Sequence, residues 1–188
     1  MKLKVLKFNT LKSTNDKAIE IIRKNISSPK LIVSTKQTNG KGTMGKKWIS
    51  QKGNLFISIF FQTKIKPEKI SIFNPYIIRN ILNNYCEKKI KIKWPNDLLI
   101  KGKKLCGILQ EVIEFKSKSF LIIGIGINTM NAPINKKFNA VALSSFSNKK
   151  VKNKEILDKI KLSYEKFISD IRSNKISTLK NKYLKIKK

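Results

Sequence analysis

Residues 38–62 read TNGKGTMGKKWISQKGNLFISIFFQ, and the element that comes after the glycines at the start of this stretch decides the fold. Gly40, Gly42 and Gly45 spell G-x-G-x-x-G, while Gly40 to Lys46 spell G-x-x-x-x-G-K with Lys47 where a Walker A loop has Ser or Thr. Both patterns hold phosphate only when the loop opens a helix, because the anion sits on the free N–H groups and dipole of that helix. Here the loop runs into Trp48 and then NLFISIFFQ, with Leu55, Ile57 and Ile59 on one face and no helical period. The unit is therefore strand, glycine and lysine loop, strand, and the dinucleotide and Walker A readings fail on context. Such a loop still suits an anion: Lys41, Lys46 and Lys47 alternate with glycines whose backbone can approach a ligand closely.

Working outward, KLKVLKF near the N-terminus alternates as a strand, and KLIVST is a second short strand leading into the loop. Between them Ser13, with Asp16 three positions on, forms a capping-box-like start to a helix through Ala18, Ile19, Ile21 and Ile22. Asn74 and Pro75 read as N-cap and N1 of a second helix, whose stripe is Ile77, Ile78, Ile81, Leu82 and Tyr85. KIKIKW alternates, PND turns, LLI and KLCGIL flank a tight turn at Gly102, and FLIIGIGIN reads as a buried strand. Residues 129–150 carry Pro133 and many Asn and Ser, so they read as a loop-rich connection, and positions 156, 160, 164, 167 and 171 mark a last amphipathic helix. Trp48 and Trp94 read as core aromatics.

At 188 residues and 40% hydrophobic content the chain suits one domain with a real core. Lys plus Arg outnumber Asp plus Glu by 42 to 11. The only arginines are Arg23, Arg79 and Arg172, however, and the lysines are spread over the whole chain. A nucleic-acid surface would use more arginine, whose planar fork grips phosphate and bases, so the charge reads as a Lys, Ile and Asn bias in composition. The sequence has no histidine, which removes Ser-His-Asp and Cys-His catalysis and the usual His-ligated zinc sites. Cys86 and Cys106 form no CxxC, no apolar signal region opens the chain, and no run reaches the length of a membrane span. A cytoplasmic protein with no membrane partner is expected.

Four blocks together carry a resemblance: STN at 13–15, KQTNGKGTMGKKWIS at 36–50, KWPNDLLIKGKKLCGIL at 93–109 and GIGIN at 124–128. In order and spacing they resemble the motifs of the biotin protein ligases, and the similarity covers nearly the whole chain. The resemblance implies an α+β fold, a mixed sheet flanked by helices as in class II aminoacyl-tRNA synthetases. It also implies the activity: biotin is joined to ATP with release of pyrophosphate, then passed from the adenylate to one lysine of a biotin carboxyl carrier protein of acetyl-CoA carboxylase or a related carboxylase. ATP, Mg²⁺ and biotin are the implied cofactors and substrate, with the metal ligands left open.

By the same resemblance Ser13, Thr14, Asn15 and Gln37 lie at the biotin ring system, Lys41, Gly42 and Thr43 belong to the stretch closing over biotin and adenylate, and Gly107 lines the biotin pocket. Lys104 matches the lysine touching both the activated carboxylate and the α-phosphate, with Lys41 beside it as a catalytic cation; Lys41, Lys46, Lys93, Asn96 and Asn128 are the expected ATP contacts. Asp97 is the candidate to orient or deprotonate the acceptor amine. The family loop carries more arginine, in a form like GRGRxGR; Thr43 replaces an arginine that helps retain the adenylate, a task left to Lys46 or Lys41. The resemblance further implies a single catalytic domain over residues 1–188, no helix-turn-helix domain and hence no DNA partner, an SH3-like C-terminal domain absent or truncated, and a homodimer paired through sheet edges.

The chemistry agrees with that assignment. A carboxylate attacking the α-phosphorus is already ionised, so no base is needed; the difficulty is bringing two anions into line. Fixed ammonium and N–H groups supply that without histidine. Two other readings remain: a lipoate or octanoate ligase or transferase of the same fold, and a basic nucleic-acid-binding module.

Overall fold

The computed structural model describes residues 2–133, 139–173 and 179. Its strands are β1 (Lys4–Leu11), β2 (Lys30–Gln37), β3 (Gly40–Lys41), β4 (Lys47–Trp48), β5 (Leu55–Gln62), β6 (Ile90–Lys93), β7 (Asp97–Ile100), β8 (Lys103–Phe115) and β9 (Lys118–Ile127). Its helices are α1 (Thr14–Arg23), α2 (Pro67–Ser71), α3 (Phe73–Leu82) and α4 (Asn153–Arg172). Seven strands make one sheet in the order β1-β2-β5-β9-β8-β7-β6, with β3 and β4 a separate two-stranded ribbon. β1 and β2 run parallel and every other pair in the large sheet is antiparallel, so the sheet is mixed, as expected.

The period of two in a strand sends alternate residues to opposite faces. On one face Leu55, Ile57, Ile59 and Phe61 of β5 and Leu121, Ile123, Ile125 and Ile127 of β9 pack with α3 and α4. On the other, Ile32, Phe60, Phe120 and Ile122 are covered by Ala18, Ile21 and Ile22 of α1. Further along that second face small residues replace large ones: Ser58 stands opposite Gly124, and Gly126 opposite Gly107. α1 covers the bulky end, and the glycines leave a hollow at the other.

Several local expectations are revised. Ser13 does cap α1, its Oγ accepting from the N–H groups of Asn15 and Asp16, but the Asp16 carboxylate faces Lys41 rather than completing a capping box. Asn74 is not a cap: α3 starts at Phe73 behind α2, and Asn74 is fully buried, donating to Gln110 Oε1 and accepting at 2.9 Å from Tyr164 OH. β8 runs past KLCGIL to Phe115, because Lys116 and Ser117, both at positive φ (47° and 57°), turn it directly into β9. Within the connection read as loop, Leu143–Phe146 form a 3₁₀ turn, and residues 134–138 lie outside the described part. Trp94 is no core residue: it is 49% exposed and leans on Tyr76. No described helix is long and apolar enough to cross a membrane.

Candidate active site

The hollow is walled first by the start of α1. Thr14 donates from its backbone N–H (2.7 Å) and hydroxyl (3.1 Å) to Gln37 Oε1, and Gln37 Nε2 donates to Ser50 Oγ at 2.9 Å. The Gln37 amide is thereby fixed in one orientation between α1 and the segment after β4. Ser58 Oγ, completely buried, sits between Thr14 Oγ1 at 2.7 Å and the Asn15 side-chain oxygen. Asn15 Nδ2 donates to Glu111 Oε2 at 2.5 Å. Since a carboxylate can only accept, Glu111 decides which way that amide points.

The floor is glycine. A Cβ on Gly124 would stand 2.4 Å from Asn15 Oδ1, one on Gly126 would stand 2.4 Å from Trp48 Cε2, and one on Gly107 would stand 2.7 Å from Trp48 Cζ3. The Trp48 ring thus lies against two neighbouring strands at a distance any side chain would forbid. Lys104 Nζ stands 5.4 Å from the centre of that ring, within cation–π reach.

The first cavity is lined by Ser13, Thr14, Asn15, Gln37, Lys41, Gly42, Thr43, Asn96, Lys104 and Gly107, along with Trp48 and the glycine floor. Its free volume of ≈ 40 Å³ has room for about three waters, because Trp48 and the loop close on it. A second cavity of ≈ 280 Å³ adjoins it and is lined by Lys46, Lys47, Lys93, Asp97 and Asn128, sharing Gly42, Thr43, Trp48 and Lys104 with the first. Lys104 therefore reaches both cavities, with Trp48 between them. Its backbone is tied to the connection after β9: Lys104 N–H donates to Asn139 O at 2.7 Å, and Val141 N–H donates to Lys104 O.

Charges pair across the site. Lys104 Nζ is 2.8 Å from Asp97 Oδ1, although that oxygen has no hydrogen bond of good geometry; the contact is an ion pair by distance. Lys41 pairs with Asp16 and lies 4.0 Å from Glu111. The Asp16 hydrogen bond raises the Lys41 pKa above the ordinary lysine value, against the opposing effect of partial burial. Asn128 donates to Lys104 O, while its own side-chain oxygen is buried without a partner.

Most residues expected at the site converge there. Asn96, expected at ATP, lines the first cavity, where its side chain donates to Ile108 O at 3.1 Å. Lys41 lines the first cavity and not the second, and its ammonium is engaged by carboxylates. Four site residues escaped the sequence reading: Asp16, Trp48, Ser58 and Glu111. The alternation Gly107, Leu109, Glu111 along β8 was a usable signal for Glu111, whereas nothing local marks Asp16 or distinguishes Trp48 from a core aromatic.

The mixed sheet flanked by helices matches the catalytic fold of the biotin protein ligases. The structure superposes on "Biotin protein ligase from Aquifex aeolicus in complex with biotin and ATP" with a TM-score of 0.75 at 27% identity, covering 96% of this chain and 76% of that one. A biotin protein ligase from Leishmania major in complex with biotinyl-5-AMP shares the fold at TM-score 0.76 and 23% identity, covering 96% and 81%. Among curated proteins, the bifunctional ligase/repressor BirA of Bacillus subtilis is 32% identical over 181 residues, 92% of this chain. Residues 7–128 match the pattern of the Biotin/lipoate A/B protein ligase family, and the chain belongs to that family. It spans 56% of the length of the Bacillus relative.

Proposed function

We propose that the chain activates biotin with ATP as biotinyl-5′-AMP and transfers the biotinyl group to a specific lysine of a biotin carboxyl carrier protein, acting as a single catalytic domain. The observation that carries this reading is that Thr14, Gln37 and Lys104, from three separate segments, line one cavity whose Lys104 also borders a second, lysine-lined cavity. The first would take the biotin ring system against Ser13, Thr14, Asn15, Gln37 and Gly107, with Gly42 and Thr43 above. Its present volume admits no bicyclic ring, so Trp48 has to leave its place on the glycine floor, or the loop has to lift, as biotin enters.

The carboxylate then meets the α-phosphorus at Lys104. A new C–O–P bond forms, pyrophosphate leaves, and Lys104, Lys46 and Lys93 offset the charge on the phosphates. With Lys41 engaged by carboxylates, Lys46 is the loop lysine placed to do the work of the arginine that Thr43 replaces. Asn128 offers its unpaired oxygen to an amino group such as that of adenine. Mg²⁺ fits at the second cavity, where Asp97 is the lining carboxylate that would hold an ion carried in on a triphosphate. It would draw negative charge from the departing pyrophosphate. In the second step the acceptor amine attacks the acyl carbon, an amide forms and AMP leaves; Asp97 would orient the amine. Asp97→Asn with carrier transfer unchanged eliminates that role.

Two free cysteines support a reducing cytoplasm. The stretch of β8 beyond Gly107, which β7 does not pair, offers an edge for a homodimer. The decisive experiment is pyrophosphate exchange into ATP with the purified chain. Exchange is expected with biotin and to fall about 10²- to 10³-fold in Lys104→Ala. Exchange supported by lipoate or octanoate instead would move the reading to that branch of the family, and steeply salt-dependent nucleic-acid binding without any exchange would replace it.

A further inference from the structure

The loop that covers the first cavity is held from outside the cavity. Its entry is fixed by backbone: Thr38 N–H donates to Leu11 O and Asn39 N–H to Lys12 O, both at 2.9 Å. Beyond that, Gly42 N–H and Lys46 O close the loop on itself, and β3 pairs only with β4. Among the described residues, Lys41 is the one lysine between 38 and 47 that carries an ion pair, and both of its carboxylates belong to other elements. Asp16 comes from the first turn of α1, where the helix N-terminus favours a negative charge. Glu111 comes from β8, and its other oxygen already receives Asn15 Nδ2.

We propose that Asp16 and Glu111 are positioning residues that clamp the glycine loop shut through Lys41, while Glu111 sets the amide of Asn15 for the ligand beneath. The inference rests on the reading of the first cavity as the biotin site. Lys41 then acts on the loop rather than on phosphate, and opening the lid means exchanging one ion-paired ammonium for water. The side chains are about a third exposed (37% for Lys41, 31% for Asp16, 29% for Glu111), so salt weakens the clamp without abolishing it. A fastening of that strength suits a lid that must open in every turnover.

The test is the double variant Asp16→Asn, Glu111→Gln, in which the amide introduced on β8 keeps an acceptor for Asn15 while both charges at Lys41 are gone. Lys46 and Lys47 are exposed tryptic sites within the loop, and nicking there tracks the open population when opening is fast. Loss of two partly exposed pairs is expected to raise nicking after Lys46 and Lys47 about tenfold. The biotin concentration giving half-maximal exchange should rise by a similar factor, with the maximal rate within about threefold of wild type, as for lost ground-state binding. Lys41→Gln, which removes the cation and leaves both carboxylates, is expected to raise nicking after Lys46 and Lys47 by a similar factor, because either change breaks the same pairs. Unchanged nicking in the double variant, wild-type nicking in Lys41→Gln, or faster nicking in an active enzyme whose biotin requirement has not moved, each overturns the clamp. A wild-type chain that exchanges pyrophosphate with no acid sinks the biotin reading instead, and nicking alone still judges the clamp.

Discussion

Single residues at this site are defined by the groups that stand next to them. Gly126 is the sharpest case, since a methyl group there would meet Trp48 Cε2 at 2.4 Å. Gly126→Ala is expected to destabilise by about 1 to 3 kcal/mol, the usual range for overpacking, in urea unfolding. Adding Trp48→Ala should recover most of that loss, because the collision is with one ring; strictly additive losses in the two variants would show that the glycine serves something else. Lys104 is defined in the same way: it is a turn lysine by sequence, and it matters because β8 carries it to the border of two cavities. Cys106, fully buried beside it, has its thiol pushed well above the ordinary cysteine range by burial and so takes no part as a nucleophile.

At the scale of elements, the sheet and the helices behind it are locked by a few buried polar groups as well as by apolar packing. Asn74 in α3 joins Gln110 of β8 to Tyr164 of α4 inside the core, and desolvation raises the Tyr164 pKa far above its ordinary value, keeping the hydroxyl a neutral donor. Asn74→Ala would strand both partners, with an expected loss of about 1 to 3 kcal/mol or more in urea unfolding. Asn74→Asp keeps an acceptor for Tyr164 but brings a buried charge, and is expected to be no milder; a loss below about 0.5 kcal/mol in either would mean that the network is incidental. Because Gln110 neighbours Glu111, this lock also steadies the strand that supplies the clamp. The Asn-Pro pair reads from sequence as a helix cap, and only packing reveals it as a tie between layers.

At the scale of the whole molecule, a formal charge of +31 makes like-charge repulsion a global property. With a screening length of about 10 Å at 0.1 M salt, the thermal midpoint is expected to rise between about 10 mM and 300 mM sodium chloride, in contrast with the clamp, which salt weakens. A midpoint that falls over that range would mean that attractive pairs outweigh the repulsion. Much was legible without coordinates, because it is local: the alternation of β1 and β6, the apolar runs of β2 and β9, the Ser13 cap, the tight turn at Gly102 and the stripe of α4 are all set by neighbours in sequence. The failure of both phosphate-loop readings was legible too, since a strand and not a helix comes after Lys47. The order of the motifs marked Gln37, Lys104 and Gly107 as residues of one site, but the sequence could not say which side chains would touch. Sheet order decided that: β8 and β9 form a hairpin, but that hairpin meets β5 across a long stretch of chain, so Ser58, Gly124, Gly126, Gly107 and Glu111 share a face that no window of residues contains. The same non-local pairing put Trp48 on a glycine floor and gave Lys41 two carboxylates, for contacts between distant segments depend on the closure of the whole sheet and not on the propensities of any one stretch.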